Sequence, residues 1–193
     1  MPDPFRIYPE DTPNPLSNKF NLNRTLLNGP GRDFPNRQLA ELSPLATDIY
    51  YIPGVTGVFI GQNFVTVTIL PGNSWWAMRP LVEQAIESFI QRGEPAVKGN
   101  AGTPEPPAGS GAGADRPFSE SEVGILRILE EEIRPAVAMD GGDITLVAYE
   151  NKIVKLRLRG ACHACPSSIV TLKMGIENRL KQAFPEIVGV EAV

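Results

Sequence analysis

The sequence is poor in reactive side chains: 193 residues include only two cysteines and one histidine. Two cysteines rule out a disulfide framework and leave metal binding or redox chemistry as roles for a close pair. Long hydrophobic runs are missing too. No stretch approaches the roughly 20 apolar residues that span a bilayer, so no membrane partner is expected. Lys/Arg blocks are absent, and the net charge is −4, so no nucleic-acid partner is expected. A phosphate-cradling Gly-Lys-Ser/Thr motif is also missing. The opening MPDPFRIYPE has neither a charged-then-apolar signal nor an Arg/Ser-rich transit character, so the expected location is cytoplasmic. A composition 42% hydrophobic and 21% charged describes a soluble, globular chain.

Residues 93–117, GEPAVKGNAGTPEPPAGSGAGADRP, are mostly Gly, Pro and Ala, with Val97 the one large apolar side chain. Such a segment buries too little to offset its ordering entropy and reads as a flexible linker. It divides the chain into an N-terminal domain, 1–92, and a C-terminal domain, 118–193.

In the N-terminal domain, residues 5–8 and 19–23 read as strands, and GRDFPNRQ as loop. Ser43 followed by Pro44 is an N-cap with a first-turn proline, opening a short helix. Residues 57–70 predict a hairpin turning at Gly61, Gln62 and Asn63, with Val65, Val67 and Ile69 alternating with Thr66 and Thr68. A helix follows over about 75–91, its apolar face built on Leu81, Ala85 and Phe89 with Val82, Ile86 and Ile90 beside them. Of Trp75 and Trp76, one ring is expected in the core and one at the surface. Thr12-Pro13-Asn14-Pro15 reads as a rigid turn.

The C-terminal domain opens on Ser119, Glu120, Ser121 and Glu122, a capping box. Val123, Leu126, Leu129, Ile133 and Val137 recur at helical spacing, and Pro135 is expected to kink or end the helix. MDGGD reads as a sharp turn in which Gly141 and Gly142 supply positive φ and Asp140 and Asp143 cap neighbouring backbone. Two strands follow, joined at Glu150 and Asn151. The second directs Val154, Leu156 and Leu158 one way and Lys155, Arg157 and Arg159 the other. A helix over about 166–184 carries Ile169, Leu172, Ile176 and Leu180 on one face, and IVGVEAV ends as a strand. The fold class expected is α+β: two small α/β sandwiches, the second with its helices on one face.

Both cysteines and the histidine fall in GACHACPSS, at Cys162, His163 and Cys165. Gly160 allows a sharp turn after the strand, and Pro166 suits a first helical turn. The thiols therefore lie near a helix N-terminus, where the dipole favours thiolate. Three roles compete. A thioredoxin-like redox pair also follows a strand and opens a helix, but on a larger fold. A structural zinc site wants four ligands, and so does an iron–sulfur cluster. For either metal, two cysteines per chain suffice only if two chains share the site, so the ligand count predicts a homodimer when metal is bound. His163 has no vacancy to fill in a four-thiolate site.

MDGGDITLV (139–147), VKLRLRGACHACPSS (154–168), TLKMGIENRLK (171–181) and FPEIVGV (184–190) closely resemble the NifU-like, or Nfu, domain. DTPNPLSNKF (11–20), residues 43–68 and the tryptophan-bearing helix resemble the N-terminal domain that precedes it in two-domain Nfu proteins. The resemblance implies an iron–sulfur cluster scaffold or carrier without enzymatic turnover. It implies a [4Fe–4S] cluster, or a [2Fe–2S] cluster, held between two subunits by Cys162 and Cys165 of each. The partners implied are cluster donors and apo iron–sulfur clients. No role carries over to His163.

Overall fold

The structure, a computed structural model, describes residues 4–98, 120–161 and 166–193, without the side chains of residues 120, 166–169 and 171. Cys162, His163, Cys165, Ser119 of the capping box and most of the expected linker lie outside the described residues. The chain divides into two compact units, Met1–Gly102 and Thr103–Val193. Both are α+β.

The first unit is a five-stranded antiparallel sheet in the order β1-β2-β5-β4-β3: β1 Ile7–Asp11, β2 Ser17–Leu22, β3 Arg32–Phe34, β4 Val55–Ile60 and β5 Phe64–Ile69. Three helices accompany it: α1 Arg37–Ala40, α2 Pro44–Tyr50 and α3 Trp75–Arg92. Ser43 caps α2 as expected, its hydroxyl accepting from Ala46 N at 3.0 Å. The core faces of β2, β4 and β5 present Phe20, Val58, Ile60, Val65, Val67 and Ile69 to the helices. A bulge between Val55 and Gly57 resets the alternation, so Val55 and Val58 both face the core. The other face is not open. Phe59 and Phe64 stack 5.8 Å apart, Lys19 Nζ lies 4.9 Å from the Phe64 ring, and Thr66 is buried. β5, whose alternation of Val and Ile with Thr reads as a half-buried strand, is therefore covered on both sides.

Several expectations shift. GRDFPNRQ is not all loop: Arg32–Phe34 pair with Val58–Ile60, and Asn36 caps α1 through Leu39 N at 2.9 Å. In α3 the core stripe is Met78, Val82, Ile86 and Phe89, while Leu81 is 46% exposed. Trp75 packs against the core and Trp76 is exposed, as anticipated. Thr12 and Asn14 do build a rigid turn. The Thr12 hydroxyl donates to Asn14 O and Ser17 O, and Asn14 Oδ1 accepts from Leu16 N. The start of the expected linker is instead part of this unit. Ala96 is buried in its core with Val97 against it, Lys98 N donates to Leu42 O at 2.8 Å, and the Ser43 hydroxyl donates to Ala96 O.

The second unit is a three-stranded sheet, β6 Gly142–Glu150, β7 Ile153–Gly160 and β8 Gly189–Ala192, in that order. β6 and β7 are antiparallel; β7 and β8 are parallel. Asn151 and Lys152 both have left-handed φ (52° and 63°), as a two-residue hairpin turn of type I′ requires. The helices are α4 Glu120–Ile128, a π-turn at Leu129–Ile133, α5 Arg134–Met139 and α6 Pro166–Ala183. Pro135 does not end the helix; the π-turn before it widens the coil, and α5 continues. The core joins Ile125, Leu129, Ile133 and Val137 to Ile144, Val154, Leu156, Leu158, Ile176 and Leu180. Val123, expected inward, is 54% exposed. Leu172, Ile176 and Leu180 face the core as expected, whereas the side chain of Ile169 falls outside the described residues.

Candidate functional site

The two cysteines occupy the connection between the end of β7 and the start of α6, so the site is set by what anchors those two ends. At the β7 end, Gly160 (φ 68°) and Gly141 (φ 78°) both hold left-handed backbone. A side chain would be strained at either position. Gly160 pairs with Gly142, and the buried Ala161 donates its N–H to Gly141 O at 3.2 Å. The Asp-Gly-Gly-Asp turn is thereby fastened to the residue immediately before Cys162. Of its two glycines only Gly141 has positive φ.

Asp143, weighed from sequence as a backbone cap, is buried, and its Oδ1 accepts from Ile144 N at 2.8 Å. The Arg134 Nε lies 2.9 Å from the same oxygen, an ion pair by distance. The geometry is not that of a hydrogen bond, and Asp143 Oδ2 is buried without a donor. Arg134 also donates to Ile144 O at 3.0 Å and pairs with Glu130. It thus covers the free edge of β6, the side of the sheet away from β7. Sequence reading missed Arg134; the signal available was its i,i+4 spacing from Glu130.

Two contacts hold α6, both in its C-terminal half. Arg179 grips Glu132 of the π-turn with two hydrogen bonds, 2.7 and 2.6 Å, a bidentate geometry that holds the Glu132 carboxyl below its usual pKa. Glu177 accepts from Lys181 at 2.5 Å and from Val190 N at 3.2 Å. The Lys181 hydrogen bond, then the Val190 amide, lower the pKa of Glu177. α6 is therefore tied to the first helical layer by one residue and to β8 by another.

Lys155, Arg157 and Arg159 stand half-exposed on the sheet face away from the core, as their alternation predicts. Lys155 pairs with Glu150 at 3.0 Å. Among the described residues no cluster of three or more His, Cys, Asp or Glu side chains could hold a metal ion, and no helix is long and apolar enough to cross a membrane.

These features define a class: a two-unit α+β chain whose C-terminal unit sets a Cys-x-x-Cys segment between a sheet strand and the N-terminus of an 18-residue helix. Residues 7–93 match the family model described as scaffold protein Nfu/NifU N terminal, and residues 125–191 match the NifU-like domain. The chain belongs to the Nfu/NifU family.

Among curated relatives, it is 42% identical over 187 residues to NifU-like protein 4, mitochondrial, of Arabidopsis thaliana, covering 96% of this chain and 65% of that protein. It is 40% identical over 188 residues to the Drosophila sechellia NFU1 iron-sulfur cluster scaffold homolog, mitochondrial, at 97% and 64% coverage. The human protein of that name is 41% identical over 188 residues, at 97% and 71% coverage. The chain thus spans about two thirds of the length of these relatives. Their names overturn the cytoplasmic location expected from sequence, since all three are mitochondrial proteins. The character of the opening residues, on which that expectation rests, does not separate the two compartments.

Proposed function

We propose that this chain is an iron–sulfur cluster scaffold and carrier. Two copies hold one [4Fe–4S] cluster through Cys162 and Cys165 of each, and pass it to apo-proteins. One observation carries the reading: the chain's only two cysteines lie together at the strand-to-helix junction in a family whose curated members are named iron–sulfur cluster scaffolds. Soft thiolates suit iron–sulfur clusters, and the N-terminal dipole of α6 favours the thiolate form. Four sulfur donors complete the cluster's ligation, and each chain supplies half of them.

In this reading the protein's own residues do three things. Gly141, Gly142 and Ala161 fix where the thiol segment leaves the sheet. Glu132, Arg179 and Glu177 hold the C-terminal half of α6 against the first helical layer and β8. The cysteines then bind a cargo that leaves when incoming client thiolates replace them one by one, with no net redox change. The N-terminal unit docks donors or clients, and 118–193 is the cluster-binding domain. The protein needs no turnover chemistry of its own.

The test is anaerobic reconstitution with iron and sulfide, read by mass and by iron and sulfide content. The wild-type chain is expected to become brown and to double in mass. Cys162→Ala and Cys165→Ala should each lose both cluster and cluster-linked dimer. A variant that keeps its iron refutes the ligand assignment. A colourless protein that forms a reversible Cys162–Cys165 disulfide points to redox chemistry instead.

A further inference from the structure

The outer face of α6 carries apolar side chains at positions where solvent-facing helices normally carry polar ones. Val170 and Met174, one turn apart, are 59% and 61% exposed. With Lys173, Glu177, Asn178 and Ala192 they line an open groove of ≈ 570 Å³. A rise of ~1.5 Å per residue places Val170 about 6 Å and Met174 about 12 Å along the helix from Pro166, the residue that follows Cys165. Val170 and Met174 therefore lie, as a short apolar stripe, about one and two turns along the helix from the thiol segment.

We infer that this stripe is the contact surface for a second copy of the chain in the cluster-bound dimer, an inference that rests on the shared-cluster reading above. Chains that pool two thiolates each must bring their two junctions together around one small cluster. In the inferred arrangement, a twofold axis passes through that cluster and the first turns of the two α6 helices lie side by side, both running away from it. Such an isologous contact needs a patch that tolerates its own copy. Val170 and Met174 meet that condition because they are uncharged and apolar. The face then turns polar at Glu177 and Asn178, where the helices diverge. Two helix N-termini aimed at one anionic cluster offset the repulsion between parallel helix dipoles.

The test uses the full chain. Val170→Glu/Met174→Glu sets like charges against their own copies across the axis, at exposed positions that the fold does not need. Circular dichroism and melting of the metal-free variant should match wild type. After anaerobic reconstitution at equal chain concentration, its dimer fraction and iron per chain should fall at least tenfold. Mixing it with Val170→Lys/Met174→Lys should restore a loaded heterodimer. A Glu variant that loads and dimerises like wild type overturns the inference, and so does a folded pair that stays unloaded when mixed. A variant that loads normally but no longer delivers iron to an apo-ferredoxin assigns the stripe to a client and also overturns it. If the wild-type chain takes up no cluster, the scaffold reading itself fails, and this inference with it.

Discussion

Replacing Arg134 by Met tests the corner that anchors the thiol segment. The substitution keeps most of the aliphatic stem and removes the guanidinium. It deletes the hydrogen bond to Ile144 O and strands Asp143, whose side chain is 7% exposed and whose Oδ2 already lacks a donor. Breaking a fully buried pair costs about 3–5 kcal/mol. The Arg134 side chain is 29% exposed, and solvent screening brings the expected loss to about 2–3 kcal/mol. At roughly 4–8 °C per kcal/mol for a unit of this size, the melting temperature should drop by about 10–20 °C. The two units can be followed apart because both tryptophans, Trp75 and Trp76, lie in the first. Far-UV circular dichroism should therefore show one transition moving down while the tryptophan-emission transition stays in place. Adding Asp143→Asn to the variant should recover part of the loss, since the stranded carboxylate is what costs most. A drop below about 3 °C, or a double variant less stable than the single one, refutes this account of the corner.

Tyr50 makes the first unit sensitive to alkali. Its hydroxyl, 2.7 Å from Phe34 O and 2.9 Å from Thr56 O, has its pKa pushed up to about 12, chiefly by burial and then by Asp33. A raised folded pKa means stability fully present below pH ~10 and lost as pH rises through about 12, so tryptophan-monitored stability should fall across that window and Tyr50→Phe should flatten the fall. Two helix glycines should respond in opposite directions. A Cβ at Gly124 meets the Phe184 ring at 2.4 Å, whereas at Gly175 it meets nothing within 4 Å. Gly124→Ala should therefore cost about 1–3 kcal/mol, while Gly175→Ala should gain up to about 1 kcal/mol from helix propensity, both read by thermal melts of the metal-free chain.

Local signals survive into the structure where they depend on neighbouring residues alone. The Ser43 cap and the alternation of Val154, Leu156 and Leu158 are of this kind, and the hairpin expected to turn at Glu150 and Asn151 is present with its turn one residue later, at Asn151 and Lys152. Signals that need a distant partner do not show in a linear reading. Arg32–Phe34 is a strand because β4 offers an unpaired edge, and Ala96 is buried because the first unit leaves room beside Ser43. Leu81 and Met78 each start an apolar i,i+4 series, and only the sheet beneath decides between two stripes about 100° apart. The cysteine pair was legible as a site from spacing and exclusivity. The ion pair supporting it was not, because Arg134 reaches Asp143 only after the helix has folded back onto the sheet.

The π-turn at Leu129–Ile133 sets the rotational phase of everything after it. Each helical residue advances the chain by about 100°, and the wider turn takes up one residue more than an α-turn needs. Straightening the turn into a plain α-helix at its present length would swing Arg134 by about that angle, away from Asp143 and the exposed edge of β6, whereas deleting one of those five residues would leave a plain α-helix with Arg134 still in place. The segment thus tolerates the loss of one residue but not a loss of its wider turn.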